Sequence, residues 1–551
     1  MVFFLTVPAR LITYVHNFRE CCLPESSQIL KGYMIDVITS EALSVPHPRL
    51  GWKQQIWFML IGLLGAGWLW FVMSQHGIGL SPDSAGYLAV AGNLLEGKGF
   101  ICYSGEPFGA QPPLYPLAVA TLSFLLGLDL KTSALFLNLL IIVFATFISG
   151  NLTFLITNSF PISLFVCFSI IFGIPTFQTF VYAWSEPTFI LFLSVAFFYM
   201  LKFIDYEDKK YLLVSSFFIS LACMTRYVGI FALISFLSLL IFKAKEDIVK
   251  KRNEIYTFLF ISSFPLYLWG MRNYILSRTF FGRSGNPLHS FSEHSLGFVN
   301  AVTSWFIFPV NYFQNKTLLF LVAFLLIFIL LVIGVKEITN LKVLSLVVFI
   351  FLYLLLLFIA CVSTHQNLID NRLLSPIFIP LGIVLIDFFY RRIYLQLMDK
   401  ISKRVRPWLV VLGLIAWFTY PAISTLKFGL EVRKEGLGYQ SVHWQTSETL
   451  AYVRQAREEL LQLHVYTNDP EGLYFLTKIR AGRLSIQFHP NWPEAGRAYL
   501  ICFKQGYLGD CLEILDRLHQ NPEIRPVAEF SDGTIYLVTR RNLQVPSPGN
   551  H

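Results

Sequence analysis

The chain has 551 residues, 55% of them apolar and only 14% charged, a balance that excludes a soluble enzyme and describes an integral membrane protein. Its formal charge of +9 does not make it a nucleic-acid binder, because the lysines and arginines gather between apolar runs, where membrane topology would put them. The eight cysteines form no CxxC pair and no metal-ligand spacing, which argues against a structural metal centre.

Residues 1–53 start apolar, with no basic region ahead of the apolar run, and so make a poor signal peptide. They read as a cytoplasmic leader with little fold of its own. A helix needs about 20 apolar residues to cross roughly 30 Å of hydrocarbon. Runs of that length, or nearly so, are 55–74, 131–157, 161–180, 186–203, 211–225, 229–243, 256–272, 317–335, 342–363, 373–390 and 408–426. A further run, 113–128, is short and carries Pro113 and Pro116.

The basic loops set the orientation. Segments 243–252 and 391–406 are the densest in Lys and Arg, with Lys209, Lys210, Lys336 and Lys342 in support. If 113–128 does not cross and the leader is inside, all of them fall in the cytoplasm; if it does cross, all fall outside. The expectation is an all-α polytopic membrane protein of eleven spans, its 113–128 helix lying at the outer interface. The domains are a leader (1–53), a transmembrane domain (54–427) with a first outer loop at 75–130, and a small extracytoplasmic α/β domain (428–551). In that last domain 445–463 and 507–520 read as helices, 464–467 and 499–503 as strands, and 527–530 with 534–539 as a hairpin about Asp532 and Gly533. Cys502 and Cys511 fall there together and could pair.

The spans themselves contain almost no ionisable residue. A charge at the bilayer centre costs at least about 2.5–3.5 kcal/mol, so an ion relay would be visible, and none is. Polar chemistry gathers on the outer rim instead. Asp83 begins a helix after Ser81 and Pro82; it could cap that helix, serve as a general base at the membrane surface, or do both. Glu186 sits at a span start beside Pro187, where an acid is common. Glu106 could help hold an acceptor, although Gly-Glu-Pro-Phe-Gly is also an ordinary exposed turn. Arg226, Arg272 and Arg372 suit either headgroup anchoring or bidentate contact with a phosphate. Tyr87, Tyr115, Trp184 and Tyr227 fit an aromatic belt and, as a second use, stacking platforms for a sugar. His289, His294 and His365 show no metal-binding spacing, so no metal is expected.

Several of these residues carry a resemblance. Asp83-Ser84 with Tyr87, Gly97 with Gly99, a turn at Gly105, and Gln111-Pro112-Pro113-Leu114-Tyr115-Pro116 are similar to the first outer loop of the GT-C membrane glycosyltransferases, above all the protein O-mannosyltransferases and lipid A aminoarabinose transferases. Tyr182 to Pro187, Met224 to Tyr227, Trp269 with Arg272-Asn273-Tyr274, and Asp370-Asn371-Arg372 follow in the same order. The similarity runs over roughly 55–430 and continues weakly into Asn468-Asp469-Pro470-Glu471. It implies transfer of a sugar, with inversion and no separate cofactor, from a polyprenyl-phosphate carrier to an extracytoplasmic acceptor (lipid, glycan or protein). Asp83 would be the base and an outer-face basic residue would meet the carrier phosphate, with Tyr87, Gln111, Tyr115, Glu106 and Glu186 around the substrates. One departure matters: Gln111-Pro112-Pro113 stands where related transferases carry Glu-Lys-Pro, so Arg226, Arg272 or Arg372 would have to replace the lysine. A lipid-linked-sugar flippase would show repeated halves or midplane polar sites, and neither is evident; a non-catalytic membrane scaffold would look much the same as the enzyme.

Overall fold

The computed structural model describes residues 50–244, 248–282, 287–305, 340–364, 366–394, 405–484, 496–506 and 522–540, with isolated positions between them. Residues 1–49 of the leader, nearly all of 317–335, the 507–520 segment apart from Cys511, and His365 lie outside the described residues. The chain is chiefly helical. Helix α1 (Trp52–Met73) leads to two shorter helices of the first loop, α2 (Pro82–Leu95) and α3 (Leu114–Leu126), and then to α4 (Leu130–Thr157). At 13 residues α3 is only about 20 Å long, too short to cross, and Gly127 in the left-handed region ends it.

Next come α5 (Phe160–Phe172) and α6 (Ile174–Phe180), bent by 51° about Gly173. A side chain there would meet the Ser169 carbonyl at 2.4 Å, and Pro175 opens the second piece, so the break is written locally. The series continues with α7 (Glu186–Tyr206), α8 (Lys209–Thr225), α9 (Gly229–Lys243), α10 (Ile248–Ser277), α11 (Phe291–Ser304), α12 (Leu341–Ser363), α13 (Asn371–Phe388) and α14 (Arg406–Glu435).

Fewer helices qualify as spans than the eleven expected. Among the described residues five are long and apolar enough to cross, or six counting the bent pair as one. The runs 211–225 and 229–243 became helices of 17 and 15 residues, short of 30 Å if straight, and 256–272 and 408–426 sit inside 30-residue helices. Helix α14 also carries the chain to Glu435, past the expected boundary at 427.

The tail forms α15 (Glu448–Gln455), β1 (His464–Thr467), α16 (Pro470–Thr477), β2 (Gly482–Arg483), β3 (Arg497–Phe503), β4 (Pro522–Glu529) and β5 (Gly533–Arg540). The sheet has the order β2-β1-β3-β5-β4, parallel on the β1 side and antiparallel through the β4–β5 hairpin. Cys502 and Cys511 are joined by a disulfide. One face of the tail's sheet packs on the tail itself, with Leu484, Leu500, Cys502 and Val538 in a cluster of tail residues only. The other face shares a single apolar cluster with the first loop, in which Leu80, Leu88 and Phe108 pack with Trp444, Leu473 and Phe503.

A backbone seam reinforces the union. The Gly79 amide donates to the Val181 carbonyl at 2.8 Å and the Ala183 amide to the Gly79 carbonyl at 3.0 Å. On the other side Leu80 exchanges bonds with Leu437 and Tyr439 at 3.3 and 2.8 Å. Gly438 is required at that crossing, because any Cβ would stand 1.9 Å from the Leu80 carbonyl oxygen. First loop, 181–185 corner and tail therefore occupy one end of the helix bundle.

Candidate active site

Four charged side chains from four distant segments meet at that end. Ser81 caps α2 and leaves Asp83 in its first turn, free to reach outward. Glu186 opens α7, with Ser185 at the cap position. Arg226 ends α8, and Arg372 lies in the first turn of α13, which Asp370 caps by accepting from the Leu373 amide.

Oε1 of Glu186 accepts from Arg226 Nη1 and from Arg372 Nε, each at 2.5 Å, and Arg372 Nη2 donates to Asp83 Oδ2 at 2.6 Å. The Gln111 amide donates to the other Asp83 oxygen at 3.3 Å. Two acids and two arginines balance. They differ in access: Glu186 is 1% exposed, the arginines 17% and 15%, and Asp83 37%. Burial alone would raise the Asp83 carboxyl, but Arg372, with Arg226 and Gln111 adding to it, holds the carboxyl below the ordinary aspartate range. Asp83 is thus an ionised, reachable carboxylate set against a partly buried arginine pair.

Ser185 gives up its usual capping bond. Its hydroxyl pairs instead with the Tyr87 hydroxyl at 3.1 Å and accepts from Arg226 at 3.2 Å. Tyr87 and Tyr115 are both buried and meet edge to face with centroids 5.0 Å apart. Neither offers a face to a sugar or a headgroup, which corrects the belt and platform expectations for both.

Arg272 goes elsewhere. Its guanidinium stacks on Trp269 at 4.5 Å and donates to the Phe100 carbonyl at 3.1 Å and to the Phe108 carbonyl, clasping the 100–108 hairpin at its neck. Beside it Tyr227 donates to the Gly109 carbonyl at 2.8 Å and accepts from Trp269 at 3.1 Å. Among the described residues no carboxylate forms an ion pair with Arg272. The stretch 108–111 links it to the cluster, Phe108 bonded to Arg272 and Gln111 to Asp83.

Below that stretch is a cavity of about 420 Å³ between α3, α8 and α10, lined by Leu114, Leu117, Phe217, Met224, Phe264 and Pro265. Leu117, Phe217 and Phe264 are also exposed, so it opens toward the surface that apolar helices present. Arg272 stands seven residues beyond Pro265 on α10, on the same side and about 10 Å higher.

The structure therefore brings together Asp83, Gln111, Glu186, Arg226 and Arg372, with Tyr87 beneath them, and places Arg272 next door. Glu106 is not part of this: it is exposed in the hairpin turn, as its sequence context allowed. Sequence reasoning missed Ser185 as a ligand of the cluster and Asn273 as a tie to the Gly109 carbonyl at 3.4 Å. The signal was present, since both are inside the quoted motifs. No group of three His, Cys, Asp or Glu among the described residues is placed to hold a metal ion.

No family model and no curated protein sequence matches the chain. Solved structures do. The crystal structure of ArnT from Cupriavidus metallidurans bound to undecaprenyl phosphate matches 87% of this chain and 97% of its own, at 12% identity and a TM-score of 0.51. The oligosaccharyltransferase of Archaeoglobus fulgidus in its apo form matches 90% of this chain and 76% of its own, at 10% identity and a TM-score of 0.52. The same AglB protein, in complex with an inhibitory peptide and a dolichol-phosphate, gives 8% identity and a TM-score of 0.53 over 90% of this chain and 75% of its own. In fold this chain is therefore similar to these solved structures, whose GT-C fold the loop motifs had suggested.

Proposed function

We propose that the protein is a membrane glycosyltransferase that moves a sugar from a polyprenyl-phosphate carrier to an acceptor on the extracytoplasmic side. The observation that carries this reading is the convergence of Asp83 with Arg372, Glu186 and Arg226 at one rim, beside an apolar groove and Arg272, which pairs with no carboxylate among the described residues. A carrier combines an apolar chain with an anionic head. The groove suits the chain, and Arg272 above it suits the phosphate, taking the place of the lysine that Gln111-Pro112-Pro113 lacks. The named neighbours, one bound to undecaprenyl phosphate and one to a dolichol-phosphate with a peptide, support a lipid carrier and an acceptor as partners. The Cys502–Cys511 disulfide supports an oxidising compartment for the tail.

In the reaction the acceptor oxygen or nitrogen bonds to the anomeric carbon as the carbon–oxygen bond to phosphate breaks. The phosphate leaves with that electron pair, and the acceptor's proton passes to Asp83. One displacement inverts the anomeric centre. A carboxylate held below its ordinary pKa is a weak base, so the proton moves late, once bonding to the cation-like sugar has acidified the acceptor. The larger contribution comes from fixed positive charge facing the growing charge on the leaving phosphate. The donor is itself the lipid-linked sugar, and no separate cofactor or metal enters.

The test is transfer in nanodiscs from a polyprenyl-phosphate sugar to cell-envelope acceptors. Asp83→Asn should cut the rate by about 10²–10⁴-fold while the protein inserts normally. Unaltered transfer by that variant would remove Asp83 from the mechanism.

A further inference from the structure

Trp184 touches Arg372 on one side and, on the other, the cap of the helix that carries Asp83. The Arg372 guanidinium lies 4.1 Å over its ring. Tyr182 stacks on the ring at 4.1 Å, inclined by 8°. Two groups at that distance cannot share a face, so arginine, indole and phenol form a three-layer stack. The remaining polar edge is also engaged, for the indole N–H donates to Ser81 Oγ at 2.7 Å. Ser81 caps the helix that carries Asp83, accepting from the Ser84 amide at 3.3 Å. The backbone seam between Gly79 and 181–183 fixes the same two segments side by side.

We infer that Trp184 is a positioning residue that sets the distance between Asp83 and Arg372: its face orients the guanidinium and its edge pins the cap of the Asp83 helix. This rests on the transferase reading above and deepens it. With both faces covered, Trp184 is not a platform for the sugar. Its plane fixes the Arg372 fork so that Nε meets Glu186 and Nη2 meets Asp83. An arginine free to rotate would follow the carrier phosphate and leave the carboxylate at a variable distance from the acceptor. The charged and titratable groups facing Asp83 are Arg372, Arg226, Glu186 and Tyr87, and none of them is altered by changing the indole.

The measurement is carbodiimide labelling of Asp83 in full-length protein in nanodiscs, read by mass spectrometry at about pH 5. Carbodiimides attack the protonated acid, so a loosened Arg372 speeds labelling, about tenfold for each pKa unit that Asp83 rises. Trp184→Ala should label about tenfold faster than the wild type. Trp184→Phe keeps a ring under Arg372 but loses the N–H, and should label about threefold faster, as should Ser81→Ala. The double variant Trp184→Phe/Ser81→Ala should match Ser81→Ala alone, because the bond that Trp184→Phe removes is already missing there. Transfer by Trp184→Ala should lose kcat about tenfold, with the carrier KM within about twofold. Wild-type labelling rates in both Trp184 variants, or additive effects in the double variant, would overturn the assignment. Fast labelling by Trp184→Ala with no transfer even by the wild type would uphold Trp184 and overturn the transferase reading instead.

Discussion

The two rims of the helix bundle use the same residue types in opposite ways. At the rim bearing the basic loops, cations mostly cap helix ends: Lys243 donates to the Ile204 carbonyl at 3.0 Å, Lys342 to Leu155 at 3.2 Å and Arg391 to Ile156 at 2.9 Å. Their acids pair with them one cation at a time where they are buried, Asp205 with Lys342 at 2.8 Å and Asp387 with Arg391 at 2.7 Å, while Glu207, 58% exposed, serves both Lys243 and Lys251. Capping satisfies carbonyls that have no partner within the helix and complements the helix dipole. At the first-loop rim two arginines converge on one oxygen of a carboxylate only 1% exposed, and one of them reaches on to Asp83. Buried charge of that kind is costly to assemble and adds little net stability. The contrast is between one-to-one pairs that close helix ends at one rim and, at the other, a convergence of charge that the proposed transfer would use.

Removing a partner from the buried set should have the largest effect. Arg372→Ala leaves Asp83 without its cation and Glu186 with one arginine, so stability should fall by about 3–5 kcal/mol and transfer should vanish. Denaturant unfolding in detergent, paired with the transfer assay, checks both; a stable variant would mean that the cluster is solvated in the membrane-bound protein.

Arg272→Gln sharpens the division within the first-loop rim. Glutamine can still donate to one hairpin carbonyl but carries no charge. The carrier KM should rise about tenfold, the loss of roughly 1.4 kcal/mol of charge–phosphate attraction, with little change in thermal stability. An unchanged KM would assign Arg272 to the hairpin alone.

Acidification probes the same pair more gently. The folded Asp83 carboxyl titrates below its ordinary value, so its contribution is fully present above that value and is lost as pH falls through the lowered one. Thermal stability and transfer should stay level down to the ordinary aspartate range and fall below it, and Asp83→Asn should lack that Asp83-dependent fall. A fall beginning near neutral pH would point to a different group.

Much of the site was legible because hydrocarbon tolerates so few charges. Asp83, Glu186, Arg226 and Arg372 each stand at a helix end, and parity put them on one rim. What no spacing rule gives is the pairing, since Asp83 and Arg372 are 289 positions apart. Tyr87 and Tyr115 read as belt residues because an aromatic at a helix end looks alike whether lipid or protein covers it; here protein covers both. Three of the tail's strands (β1, β3 and β5) were visible as apolar runs ended by turns, whereas β4 starts at Pro522, ahead of the expected 527, and the two-residue β2 was not read. The tail's shared core was not visible, because alternation reports that a face is buried without saying against what. Helix α16 was missed because its eight residues start at Asp469-Pro470, a pattern that also opens a turn.

The smallest effect should come from the basic rim. Lys251 reaches Glu207 at 3.1 Å, but Lys243 already holds the same oxygen at 3.0 Å, and Glu207 is more than half exposed. Water and the second lysine can take over, so Lys251→Ala should cost under about 1 kcal/mol, less still in high salt, and leave transfer at the wild-type rate. Because α7 runs from Glu186 at one rim to the Glu207 turn at the other, the two variants probe opposite ends of one helix. A loss of transfer on removing Lys251 would mean that the rims are coupled along α7, and the division between a structural end and a reactive end would fail.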